Sequence, residues 1–344
     1  MYSFKNDYSE GAHERIMNAL VKTNLEQSSG YGDDSYCREA ADLLKNKIER
    51  DDVNIHLMVG GTQTNLTAIS AFLRPHEACI AANTGHIFVH ETGAIEATGH
   101  KVFPVTVNDG KLNTAHVQSV LDAHTDEHMV KPKLVYISNP TEIGTIYTKK
   151  ELEDMYSFCQ AHNLLLYVDG ARLGCALTSK KNDMTMKDLA YNSDAFYVGG
   201  TKNGALFGEA LVIVNDSLNE DFRYLIKQKG GLLAKGRLLG IQFAELFKDD
   251  LYFEIADHAN KMAEILQNAI KELNYSFLID SPTNQIFPIF PNKILEKLKE
   301  KYDYSFWEKA DDNNSIIRLC TSWATIPEKV DEFIADLKKY TSEI

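Results

Sequence analysis

The stretch Leu164-Leu165-Leu166-Tyr167-Val168-Asp169-Gly170-Ala171-Arg172 decides the fold. An unbroken apolar run ending in Asp-Gly has the length and composition of a strand buried on both faces. A second run, Ala195-Phe196-Tyr197-Val198, continues through Gly199-Gly200-Thr201 to Lys202 and is followed by Asn203-Gly204. Each run delivers one charged side chain at its carboxyl end, which is where ligands bind in an open parallel α/β sheet. An Asp there is by itself an ordinary helix cap, and a Lys beside glycine an ordinary loop residue. Together they supply what pyridoxal phosphate (PLP) requires: an acid for its pyridine nitrogen and an amine for a Schiff base.

The flanking sequence repeats the pattern. Upstream, strands are expected at Val53–Val59, Ala78–Ala82, Lys101–Val107 and Leu134–Ser138. They alternate with helices at Thr62–Leu73, Ile87–Thr98, Thr114–Ala123 and Lys149–His162. A strand at Ala210–Val214 and a helix at Leu218–Gln228 follow Lys202. Two helices precede the series: Glu10–Asn24, and one capped by Asp34 with Cys37, Ala40, Ala41, Leu44 and Ile48 on one face. This alternation implies an α/β fold, a mostly parallel sheet with helices on both faces.

The pattern changes after about residue 245. Helices at Arg237–Leu246 and Tyr252–Leu273 lead to short strands at Phe277–Ile279, Gln285–Phe290 and Ile316–Cys320. A last helix starts at Pro327. The division expected is a large PLP-binding α/β domain over residues 1–245, N-terminal segment included, and a small α+β domain over 246–344.

Composition narrows the class. A net charge of −13 argues against nucleic acid and anionic membrane surfaces as partners. No apolar run approaches the roughly 18 residues of a membrane span. The segment Met1–Asp7 lacks the apolar core of a signal peptide, and five scattered cysteines form no C-x-x-C pair. The expectation is a cytoplasmic protein with buried thiols.

Other motifs fit the same cofactor. Gly60-Gly61-Thr62-Gln63-Thr64-Asn65 joins a strand to a helix, a turn at which backbone N–H groups can approach an anion. Asn83-Thr84-Gly85-His86 follows another strand, and a His there can lie against an aromatic ring or relay a proton. His86 and His90 share a helical spacing but lack the Glu of H-E-x-x-H and any third ligand, so no metal site is expected.

These motifs occur in order with Phe4-Lys5-Asn6-Asp7-Tyr8-Ser9, Tyr31-Gly32-Asp33-Asp34, Glu91-Thr92-Gly93-Ala94 and Arg318-Leu319. The ordered set, from about residue 4 to 340, resembles the low-specificity threonine aldolases of the β-eliminating lyase group, PLP enzymes of the aspartate-aminotransferase fold (fold type I). The resemblance implies a role for each position. Lys202 would form the Schiff base with PLP, Asp169 would pair with the pyridine nitrogen, His86 would stack on the ring, and Gly61 and Thr62 would bind the phosphate. Lys229 or Lys235 of a neighbouring subunit would complete the phosphate site, and both are equally readable as surface lysines. Arg172 and Arg318 would grip the amino-acid carboxylate, helped by Ser9 or Asn6, with Tyr31 lining the site near the cofactor. The resemblance also implies a homodimer or homotetramer with shared active sites.

One position departs from the pattern. In the family's E-N-T-H-x-G loop a His lies near the substrate side chain. Here the loop is Asn139-Pro140-Thr141-Glu142-Ile143-Gly144, so Glu142 stands in its place. A buried Glu can take a proton, whereas a solvated one is inert. The expected reaction is retro-aldol cleavage of L-threonine or L-allo-threonine to glycine and acetaldehyde, with His86, Glu142 or a water as base. A β-eliminating or aminotransferase-like reaction on another amino acid is the alternative that Glu142 leaves open.

Overall fold

The computed structural model describes residues 1–343. Its thirteen strands are β1 (Tyr2–Ser3), β2 (Asn54–Met58), β3 (Glu77–Ala82), β4 (Val102–Val105), β5 (Lys131–Ser138), β6 (Leu165–Asp169), β7 (Ala195–Gly199), β8 (Glu209–Ile213), β9 (Gln285–Ile286), β10 (Ile289–Pro291), β11 (Tyr302–Asp303), β12 (Ser305–Lys309) and β13 (Asn314–Cys320). Seven of them form one sheet in the order β2-β8-β7-β6-β5-β3-β4. Its pairings are parallel except that β8 runs antiparallel to both neighbours.

Strand periodicity of two explains why these runs are apolar throughout. Val135, Ile137, Leu166, Val168, Phe196 and Val198 enter one core. Their alternates Leu134, Tyr136, Leu165, Tyr167, Ala195 and Tyr197 enter a second core on the opposite face. Helices cover both faces, so neither set meets water.

The second unit contains a sheet ordered β10-β13-β12, with β9 also paired to β13. β1 pairs with β11, and Phe4 is fully buried in this unit's core. Residues 2–4 therefore join the small unit, in contrast to the division expected. Nor does the chain break at 245. The helix Leu251–Glu272 packs Leu251, Tyr252 and Ile255 into the large core, and Met262, Ala263 and Leu266 into the small one. One amphipathic helix runs through both cores and holds the two units together.

Other local expectations fail for identifiable reasons. The helix expected at Ile87–Thr98 is only His86–Val89 followed by a 3₁₀ turn at Glu96–Thr98. Thr92 and Gly93 between them are left-handed, at φ 53° and 70°, and Glu91 is turned into the interior. Phe277–Ile279 forms no strand, only an isolated bridge between Phe277 and Pro288. The first helix starts at Glu14, where the His13 ring accepts a hydrogen bond from Arg15 N–H as its cap. Short helices at Leu173–Leu177, Met186–Tyr191 and Asn292–Leu298 escaped the pattern because each is too brief to show a helical period. Among the described residues, no helix is long and apolar enough to cross a membrane.

Candidate active site

The chain direction of the large sheet assembles the site. β2 leads into Gly61, β3 toward His86, β5 toward Glu142, β6 into Asp169 and Arg172, and β7 toward Lys202, all at one edge. β8 runs the other way, so its first residue, Glu209, pairs with Gly199 and Met58 and reaches the same edge. Gly61, Thr62, His86, Glu142, Asp169, Arg172 and Lys202 line a single pocket of about 310 Å³.

Asp169 is buried and hydrogen-bonded on both oxygens. Oδ2 accepts from Tyr136 Oη at 2.5 Å and Asn65 Nδ2 at 3.1 Å, and Oδ1 accepts from Ala171 N–H at 2.9 Å. Burial pushes its pKa up, but the charge of His86 and the phenol hydrogen bonds outweigh it, so the group stays below the usual carboxylate range. The result is a buried carboxylate biased toward its ionised form by the donors around it.

Arg172 and Asp7 form a second buried centre. Arg172 Nε donates to Asp7 Oδ2 at 2.5 Å, Nη2 donates to Oδ1 at 3.0 Å, and Asn284 Nδ2 donates to Oδ2 at 3.0 Å. Burial opposes ionisation of Asp7, yet Arg172 and then Lys202 hold its pKa at about 2. For Lys202, burial lowers the pKa, and the Arg172 charge pushes the same way. Asp7, Asp169 and Glu209 oppose them without restoring the ordinary lysine value. A buried amine whose pKa is lowered gives up its proton more readily than an ordinary lysine, which makes it a better nucleophile and proton acceptor.

A third group links the remaining residues. Glu142 Oε1 accepts from the His86 backbone N–H at 2.9 Å and from Ser138 Oγ at 2.7 Å. Burial raises its pKa, Asp169 adds to the rise, and the Ser138 bond opposes it. Glu142 is thus a held carboxyl in the pocket wall and not a solvated loop residue. The His86 Nδ1 is 2.8 Å from Glu91 Oε1, which also accepts from Asn65 Nδ2 at 2.7 Å. The chain His86–Glu91–Asn65–Asp169 is continuous.

These residues fit PLP. The helix Gly61–Phe72 begins without a side-chain cap, so its first N–H groups keep their capacity for an anion. A Cβ at Gly61 would lie 3.2 Å from Tyr197 Oη, so glycine keeps this end of the pocket open. A fixed anion at Asp169 and a depressed amine at Lys202 complete the set. The sequence profile of the beta-eliminating lyases matches residues 5–291. The chain belongs to that family.

A low specificity L-threonine aldolase of a Pseudomonas species is 30% identical to this lyase over 346 residues, covering 98% of each chain. A solved structure of Leishmania major threonine aldolase superposes with a TM-score of 0.98 at 50% identity, covering 99% of this chain and 100% of that one. A Thermus thermophilus aspartate aminotransferase mutant shares the fold, with a TM-score of 0.73 at 13% identity over 99% of this chain and 91% of its own. This lyase is a PLP-dependent enzyme of fold type I.

Several expected residues lie elsewhere in the lyase. Ser9 is exposed and donates to Asn6 Oδ1 at 3.0 Å, and neither lines the pocket. Asp7 anchors this segment on Arg172, and Tyr8 reaches the pocket instead. Tyr31 does not line the Lys202 pocket of its own chain. It borders a separate cleft with Arg223 and Leu232, its ring 4.4 Å from Lys227 Nζ. Lys229 and Lys235 are likewise outside the Lys202 pocket, although the Lys229 carbonyl accepts from Gln63 Nε2 at 3.2 Å. Arg318 on β13 donates to Gln285 Oε1 at 3.3 Å and the Lys5 carbonyl at 3.1 Å. Its Nε and the Gln285 Nε2 are buried without partners among the described residues. Sequence reasoning missed Asp7, Asn65, Glu91 and Glu209 as site members. The first three stand inside motifs already quoted, whereas Glu209 carries no local signal.

Proposed function

We propose that this lyase cleaves L-threonine or L-allo-threonine to glycine and acetaldehyde. The observation carrying the proposal is the convergence of a buried depressed amine, a fixed carboxylate and a second, protonatable carboxyl in one pocket, in a chain half identical to a solved threonine aldolase. Bound PLP supplies an electron sink for the negative charge left on Cα when Cα–Cβ breaks. Lys202 would hold the cofactor covalently, Asp169 would keep the ring nitrogen protonated, and Gly61 and Thr62 would bind the phosphate. His86 would pack against the ring, its imidazole oriented by Glu91.

The orphaned Arg318 Nε and Gln285 Nε2 support a carboxylate subsite on the small unit. Arg172 has Nε and Nη2 engaged by Asp7, which leaves Nη1 for a substrate oxygen. Gripping the carboxylate selects which Cα bond stands where its electrons can delocalise. Glu142 would take the proton of the β-hydroxyl. We extend the reading to a cytoplasmic homodimer or homotetramer in which Tyr31 and Lys229 or Lys235 serve a neighbour's pocket. A fully active monomer in sedimentation would reject that extension.

The test is product analysis. Loaded with PLP, the enzyme should release acetaldehyde and glycine in equal amounts from one or both isomers, and ammonia with a keto acid would refute the assignment. Glu142→Gln is expected to lower kcat on the order of 10²-fold. Because Glu142 acts as a base only when ionised, wild-type kcat should fall as pH drops through its raised pKa, and the Gln variant should lose that limb. An unchanged rate and profile would remove Glu142 from the chemistry.

A further inference from the structure

We propose that Glu209 couples the binding of a phosphate ester in this pocket to the uptake of one proton, an inference that rests on the PLP reading above. Glu209 is 4% exposed and lines the pocket with Gly61 and Thr62. Its Oε1 accepts from Thr201 Oγ1 at 2.8 Å and its Oε2 from Gly200 N–H at 3.1 Å. The carboxyl is therefore clamped on the turn that presents Lys202, and it engages the hydroxyl of Thr201, itself a pocket residue, as a hydrogen-bond donor. Gly208 N–H donates to the same Thr201 oxygen at 3.0 Å.

Two anions then compete for one small space. An ionised Glu209 would share the pocket with whatever anion the uncapped helix start receives, and like charges in a buried site raise each other's free energy. Protonation removes that repulsion. It also reverses the hydrogen bond, because the carboxylic O–H can donate to Thr201 Oγ1 and free the threonine proton for a ligand oxygen. No bond in the ligand breaks: one carboxylate, one proton and one phosphate dianion become a carboxylic acid beside a bound dianion.

The surroundings favour this exchange near neutral pH. The groups facing Glu209 are Lys202, which favours its ionised form, Asp169, which favours the protonated form, and the phenols of Tyr167, Tyr197 and Tyr252, all raised well above 10. Burial pushes Glu209 up to about 8 against the Thr201 bond and the Lys202 charge.

The test uses pyridoxine 5′-phosphate, which lacks the aldehyde and cannot react with Lys202. Cofactor-free full-length enzyme is titrated calorimetrically from pH 7 to 9.5, in buffer pairs of different ionisation heat. The expected result is uptake approaching one proton per ligand at pH 9, with affinity falling toward about tenfold per pH unit above pH 8. Glu209→Gln should abolish the uptake and flatten the pH dependence. Wild-type binding without proton uptake, or a Gln variant with wild-type uptake, would overturn the proposal. Should the Gln variant fail to fold, Glu209→Asp must move the midpoint of uptake, and an unmoved midpoint overturns it equally. No binding at any pH would refute the cofactor site itself, whereas binding independent of pH refutes only the role of Glu209.

Discussion

Lys202→Ala lowers acetaldehyde release from threonine by at least about 10³-fold, because one change removes both the covalent attachment and a proton-transfer group. The chain should nevertheless remain folded. Burial and the Arg172 charge both disfavour a cation at this position, so deleting the amine relieves a desolvation penalty that offsets the lost attraction of Asp7, Asp169 and Glu209. Gly61, Thr62 and Asp169 are untouched, so PLP should still bind noncovalently and more weakly, without the visible absorption band of the lysine-bound form. The measurement is coupled acetaldehyde detection beside an absorption spectrum and a melting curve. A variant retaining more than about one-tenth of wild-type turnover would show that another group holds the cofactor.

Arg172→Ala produces the largest expected loss of stability. It removes the direct ion-pair partner of Asp7, whose side chain is 1% exposed, and leaves that carboxylate buried with the Asn284 hydrogen bond and the more distant Lys202 charge. Orphaning one member of a buried pair costs about 3–5 kcal/mol, a fall in melting temperature of roughly 4–7 °C for a chain of 344 residues. Arg172→Lys should recover part of this, since it restores the charge but not the two-pronged geometry. The pH dependence has a definite sign. Wild-type Asp7 is held at about 2, against an ordinary value of 3.8, so its contribution is complete above pH 3.8 and disappears as pH falls through 2. That difference corresponds to about 2 kcal/mol. In Arg172→Ala the carboxyl loses its partner and its pKa rises, so the variant gains stability as pH falls, until other carboxylates titrate. Denaturant melts from pH 3 to 7 separate the two slopes, and parallel slopes would show that the pair carries no such energy.

What the sequence determined by itself is what local pattern encodes. Runs such as Leu164–Val168 and Ala195–Val198 must be buried strands. Their periodicity and following glycines place Asp169 and Lys202 at carboxyl ends, and an acid with an amine there specifies the cofactor class. The Gly61 turn and His86 were legible for the same reason.

Tertiary structure alone decided which polar groups meet. Asp7 finds Arg172 across 165 residues of chain, and Asn65 finds Asp169 across 104, distances at which periodicity carries no information. Glu209 enters the pocket only because β8 runs against its neighbours, a choice of direction that an apolar strand does not record. Glu91 turns inward to His86 and ends a helix that its own sequence would have continued. A buried polar atom must find a partner wherever the fold supplies one, and that requirement is satisfied through space and not along the chain.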